Sequence, residues 1–248
     1  SWSLLADEHF TNLGGVDPNA SRGLFISSFF GHYGLSEKIN LIGYIPFFVK
    51  NYQISQTTGK EYEPRREFNG LGDINLAAEF KITPLGNWAF SGTLLLGIPS
   101  GKEVAGFDGS YQTGDGEFNQ QVQLNFGKSY SLGKQAFYLK SYLGYNNRSG
   151  GFSDELHSFA ETGTQLWNSK LLVLSRLHWI RPLYNGTLDA SNANGAIFAN
   201  NIESFTLGGE VAINLGAHWG VSFAAATPLF GKVIFKGNSY SGGLFLNY

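Results

Sequence analysis

Residues 117 to 126 read EFNQQVQLNF, and their odd and even positions belong to two different chemistries. Glu117, Asn119, Gln121, Gln123 and Asn125 are polar. Phe118, Val122, Leu124 and Phe126 are apolar, and Gln120 is the exception on that face. Successive side chains of a strand point to opposite faces, so this segment is a strand that meets two solvents. In a soluble protein the apolar face would rest on a core and the polar face in bulk water. In the alternative the apolar face meets lipid and the polar face a wet interior.

The pattern recurs along the chain. In LGDINLAAEFKI, Ile74, Leu76, Ala78, Phe80 and Ile82 oppose Asp73, Asn75, Glu79 and Lys81. In SFTLGGEVAINL, Phe205, Leu207, Val211, Ile213 and Leu215 oppose Ser204, Thr206, Glu210 and Asn214. No segment carries a capped 3.6-residue period. Strands are expected near 1–11, 21–33, 38–50, 70–83, 87–99, 116–130, 135–146, 156–167, 170–182, 202–215, 218–230 and 239–248, twelve in all. Most are long enough to cross hydrocarbon at a tilt, which takes roughly 9–11 residues. Soluble strands average about 5–6. Short connections at 33–38, 83–87, 131–134, 167–170 and 215–218 alternate with longer ones at 12–20, 51–69, 100–115, 147–155, 183–200 and 231–238. Short turns on one side and long loops on the other are the arrangement of outer-membrane barrels.

Composition narrows the choice. Charged residues make up 15% of the 248, against roughly 25% in soluble domains. Aromatics also reach 15%, and there are 33 Gly. No apolar run reaches the length of a transmembrane helix. The mean hydropathy of −0.12 suits a barrel, whose two faces average out. With no Cys, disulfide scaffolds and Cys-ligated zinc are excluded. A net charge of −2 and no basic run beyond Arg65-Arg66 argue against nucleic acid. SWSLLADEHF lacks the features of a signal peptide, so any leader is expected to have been removed already.

Trp2, Tyr33, Trp88, Tyr130, Trp167, Trp219 and Tyr248 all fall at the short-turn end of this topology. Indole and phenol rings favour the headgroup interface, so they are expected to form an aromatic girdle. Trp179 falls near the opposite end. The fold expected is all-β: one closed antiparallel transmembrane β-barrel of about 12 strands over residues 1–248. It would have short periplasmic turns and longer extracellular loops, and would sit in a bacterial outer membrane. Closure is required because an open edge in lipid leaves backbone groups unpaired at several kcal/mol each. The expected surroundings are outer-membrane lipid and lipopolysaccharide, with another outer-membrane protein as an alternative neighbour.

Several motifs in order, GLGDINLAAEFKI, LLLGIPSG, TGDGEFNQQVQLNFGKSYSL, YLGYNNRSGGFSDE and ETGTQLWNSKLLV, are familiar together. From about residue 24 to 248 the chain resembles the outer-membrane β-barrel family labelled for the MetA pathway of phenol degradation, whose members are also called transporter-like. It looks especially like the Bacteroidota versions. The resemblance implies an outer-membrane barrel that moves small molecules, and it brings no catalytic residues. The chain does not resemble the long-chain fatty-acid channels, being shorter and without a long N-terminal plug segment.

The polar faces nominate a lumen lining: Asp73, Glu79, Lys81, Glu117, Asn119, Gln121, Gln123, Lys140, His157, Glu161, Arg176, His178 and Glu210. Glu155 and Lys170 share those faces. Charges of both signs there would tune a pore, or would pair across a narrow interior and plug it. Twelve strands give a bore between a filled eight-strand barrel and an open sixteen-strand porin. A narrow path for small solutes is therefore the expected function, with a non-transporting accessory barrel as the alternative. For the latter, VSFAAATP at 221–228 offers a flat surface for a partner. The loop 58–70 could fold inward as a constriction, but reads more simply as a solvated surface loop. Asp108, Asp115 and Glu117 could offer oxygens to Ca²⁺, yet their spacing does not match an EF-hand loop and reads better as an acidic turn. No Ser/His pair has a distinctive spacing, so no enzyme, cofactor or metal is expected.

Overall fold

The computed structural model describes residues 1–54, 57–58, 61–62, 66–106, 109–188 and 197–247. Twelve strands form the barrel: β1 (Trp2–Phe10), β2 (Val16–Gly34), β3 (Ile39–Gln53), β4 (Ile74–Leu85), β5 (Trp88–Ile98), β6 (Asn119–Leu132), β7 (Gln135–Arg148), β8 (Glu155–Leu166), β9 (Leu171–Pro182), β10 (Glu203–Asn214), β11 (Trp219–Lys232) and β12 (Ser239–Leu246). Each is antiparallel to its neighbours, and β1 closes the ring by pairing with both β2 and β12. A short segment, Ile234–Lys236, precedes β12 and pairs with the upper part of β1. No helix forms among the described residues.

The short turns lie where the sequence places them. Leu85 pairs with Trp88 and Leu132 with Gln135 across two-residue turns, in which Gly86 and Gly133 take φ of 60° and 61°. Such left-handed positions are cheap for glycine. The outer connections differ from the expectation. The segment 12–20 is not a long loop: a tight turn spans 11–15, with Gly14 at φ 83°, and Val16 already begins β2. Pro18 sits beside an irregularity in β2: between the pairs Ala6–Arg22 and Glu8–Pro18, three β2 residues stand opposite one of β1, and proline is tolerated where the ladder is interrupted in this way. Likewise β7 runs on to Arg148, so the loop expected at 147–155 shrinks to 149–154. Three long outer connections remain, at 54–73, 99–118 and 183–202.

The register assigns the two faces. The ladder Asn40, Glu79, Thr93, Gln123, Gly144, His157 runs around six strands, climbing with their tilt, and marks the interior. On β6, Gln121 and Asn125 are 6% and 8% exposed, whereas Val122 and Leu124 are 61% and 46% exposed. Inward polar and outward apolar is the inverse of a soluble core and the arrangement of a barrel in lipid.

Girdle residues follow these faces. Tyr33, Trp88, Tyr130 and Trp219 point outward near the short turns, Trp167 lies in the turn before β9, and Tyr248 lies outside the described residues. Trp2 is a correction. It pairs with Ile26 and Ser241 on the interior face, and it packs beside a buried cluster of Leu4, Ala6, Leu24, Val49 and Phe235. Its place at the start of the sequence put it at the rim, but β1 pairs with the upper part of β2 and so starts well inside the wall. At the opposite end Trp179, Phe205 and Phe230 pair across β9, β10 and β11 on the outer face, a second aromatic row.

Candidate functional site

The interior carries a charged belt in its middle. Lys140, Glu161 and Arg176 are cross-strand neighbours on β7, β8 and β9. Arg176 Nε donates to Glu161 at 2.6 Å and Nη1 reaches Glu210 at 2.7 Å. The Tyr138 hydroxyl donates to the other Glu161 oxygen at 2.8 Å. A few strands away, Glu79 accepts from Ser91 at 2.6 Å and from Asn40 at 2.9 Å. Asn125 in turn donates to Ser91 and Thr93. Counting Glu79, Lys81, Lys140, Glu161, Arg176 and Glu210, three carboxylates face three cations, so the belt is balanced in charge.

Space remains on either side of these pairs. A cavity of about 260 Å³ lies among Trp2, Phe159, Arg176, His178, Thr206 and Ser241. Another of about 550 Å³, toward the short-turn end, is lined by Lys38, Glu79, Lys81, Ser91, Asn125 and Lys140. Above the belt a ladder of rings climbs the wall: Tyr142 stacks on Phe159 at 5.2 Å, and the His157 and His178 rings are 5.7 Å apart.

The outer mouth is organised by a residue the sequence reading left out. Arg148, at the end of β7, is almost fully buried and binds three carboxylates: Glu117 through Nε at 2.7 Å, Glu155 through Nη1 at 2.7 Å and Asp115 through Nη2 at 2.9 Å. Its guanidinium also lies 4.4 Å from the centre of the Phe152 ring. His157 Nε2 meets the second Glu155 oxygen at 2.9 Å. Alternation along β7 places Arg148 on the interior face with Lys140, Tyr142 and Asn146. Only the expected loop start at 147 removed it from the candidate lining.

Around this cluster two outer loops fold inward. Asp73, just before β4, accepts from the backbone N–H groups of Gly101 at 2.8 Å and Asp115 at 2.9 Å. Farther along, Tyr111 is fully buried: its ring lies 4.5 Å from the Arg22 guanidinium of β2, and its hydroxyl donates to Gln53 of β3 at 3.2 Å. Asn51 donates to the Gln112 carbonyl. From the other side, Ile197 packs on the apolar cluster of β1 to β3. Burial pushes the Asp115 carboxyl up to about 7, against the opposing pull of Arg148. At the neighbouring loop, hydrogen bonds from Arg148, Asn185 and Tyr145 hold Asp154 below the usual carboxylate range although burial opposes them.

Thus Glu79, Lys81, Asn119, Gln121, Gln123, Lys140, His157, Glu161, Arg176, His178 and Glu210 lie along the interior face, while Asp73 and Glu117 pin the mouth. Asp108 lies outside the described residues, while Asp115 and Glu117, the other two oxygen donors of the calcium reading, are taken up by Arg148. Of the 58–70 loop, residues 66–70 form a short strand antiparallel to Val49–Gln53 at the top of β3, which extends the wall, and residues 59, 60 and 63–65 lie outside the described residues. Of the three alanines in VSFAAATP, Ala224 and Ala226 face inward and only Ala225 faces out. The sequence had no signal for the apolar interior of β1 to β3, because Leu4, Leu24 and Val49 serve as a seat for a loop more than a hundred residues away.

No known family matches the sequence, and no curated protein does. Solved structures do match. The COG4313 outer membrane channel from Pseudomonas putida F1 superposes with a TM-score of 0.53 at 13% identity, over 99% of this chain and 90% of that one. A loop L8 deletion mutant of OmpT, an outer membrane protein of Vibrio cholerae, gives 0.41 at 9% identity over 99% and 96%. In-vitro folded OmpT of Vibrio cholerae gives 0.38 at 8% identity over 99% and 96%. The first of these establishes the fold, an outer-membrane β-barrel.

Proposed function

We propose that this outer-membrane barrel is a narrow passive channel for small solutes, with the charged belt as its selectivity region. The observation that carries the reading is the pairing of Arg176 with Glu161 and Glu210 on one wall, with one cavity against Arg176 and another beside Glu79 and Lys140. A belt that spends its charges along the wall leaves room for solute beside it. Its balanced charges of both signs favour small neutral polar solutes over ions of either sign. The interior is lined by groups that replace hydration, as a solute leaving bulk water requires. The resemblance to the MetA-pathway family agrees with transport of small molecules but does not select the solute. The test is single-channel recording in planar bilayers, with solute uptake into liposomes alongside. Small conductance with little preference between cations and anions is expected. Absence of conductance, together with liposomes impermeable to small polar and aromatic solutes, removes the proposal.

A second reading, an accessory barrel that carries no solute, draws support from a shallow outward groove lined by Ser175, Leu207, Gly209, Ala225, Thr227 and Tyr240. Small residues there would let another membrane protein approach closely. Recovery of a defined complex from native membranes supports this reading, and a detergent-stable monomer that conducts removes it.

A further inference from the structure

The segment 109–118 connects the outer mouth to three separate parts of the wall, and nearly all its attachments are polar. Ser110 accepts from Arg22 Nη2 at 3.2 Å, Tyr111 reaches Gln53, and Gln112 accepts from Asn51. The Asp115 carboxylate meets Arg148, and its N–H meets Asp73. The segment returns to β6 yet is held by β2 and β3, so it spans the mouth across the intervening strands β4 and β5. The segment is held by side-chain hydrogen bonds, ion pairs and the buried Tyr111 ring and by no strand ladder, so it can open as a local unit while the barrel stays closed. The joint at Arg148 is also unbalanced. Three carboxylates surround one guanidinium, and any weakening of that centre turns them into mutual repulsion.

We propose that residues 109–118 are a gate. Docked, the segment narrows the outer mouth, and Arg148 with Asp73 is its clasp; released, it opens the path. This rests on the channel reading above, and the experiment separates the two.

The chain has no cysteine, so an engineered pair is the sole thiol pair in the protein. A Cβ placed at Gly114 lies 2.5 Å from Cγ of Asp73, within adjustment of disulfide reach. The double variant Asp73→Cys/Gly114→Cys therefore locks the segment when oxidised and removes half the clasp when reduced. In bilayer recordings the oxidised protein should lose its opening events. Reduction should restore them at a frequency at or above that of the wild type. Tyr111→Ala, which empties the far attachment without touching the clasp, should also raise opening frequency, and covers the case in which the double variant does not fold. Equal conductance before and after reduction, with Tyr111→Ala indistinguishable from wild type, overturns the gate while leaving the channel intact. A wild-type protein that never conducts overturns the channel reading itself.

Discussion

Placing an arginine on one strand reports which face meets lipid. Phe118 and Tyr130 point outward near the two ends of β6, and twelve residues separate them. At about 3.4 Å per residue and a tilt of about 40°, they stand about 31 Å apart along the membrane normal. This is close to the thickness of hydrocarbon plus its edges. Leu124 lies midway between them and faces out, with Gln123 beside it facing in. Leu124→Arg should therefore destabilise the barrel by about 2–4 kcal/mol, the penalty for a cation at the midplane. That is a drop of roughly 30- to 700-fold in the folding constant. Leu132→Arg, at the inner rim, should lose only about 0–1 kcal/mol. Gln123→Arg enters the wet interior and should change stability less than Leu124→Arg. Reversible guanidinium unfolding in liposomes measures all three. If Gln123→Arg is as damaging as Leu124→Arg, or if Leu132→Arg and Leu124→Arg cannot be told apart, the assignment of faces is wrong.

Other consequences follow from the interior and the mouth. Arg176→Gln leaves Glu161 and Glu210 unopposed, so the reversal potential in a salt gradient should move toward cation preference; an unchanged potential would separate this belt from the conduction path. Among single-Trp variants, the one keeping Trp2 should resist quenching by brominated lipid, while those keeping Trp88 or Trp219 should be quenched. The docked gate holds Asp115 at about 7, above an ordinary carboxylate, so docking takes up a proton. Its contribution is fully present below the ordinary carboxylate pKa and is lost as pH rises through 7. Opening frequency should therefore climb between about pH 4 and 7 and level off above, and Asp115→Asn should flatten that rise. The charged groups around Asp115 are Arg148 from β7, Asp73 from the start of β4, Glu117 and Glu103 from its own loop, and Glu155 from β8 through Arg148.

How much of this was legible depended on the range of the interactions involved. The inward and outward faces follow from a two-residue period, and the twelve strands from that period together with the spacing of the turns. That period is set by the backbone and survives whatever the loops do. Glu79, Glu161, Arg176 and Glu210 were therefore readable as interior residues, although nothing local indicated that Arg176 would join the last two. Trp2 was misplaced because its depth depends on its pairing with Ile26 and Ser241, two segments far apart in sequence. Arg148 was missed because its strand extends past the point where the pattern turns polar. The reason it extends is itself non-local: Glu117 and Asp115, some thirty residues earlier, compensate a guanidinium that could not otherwise be buried. The mouth is therefore the part of the molecule least determined by strand periodicity. It is assembled from loops whose attachments are side chain to side chain and side chain to backbone, with no repeating register to fix them. Substitutions on the outer face should then act on stability with little effect on conduction. Those at Asp73 and Tyr111, which lie outside the closed ladder from β1 to β12, should act on conduction first, whereas replacing Arg148 leaves buried Glu117 and Glu155 unpaired and should cost stability as well.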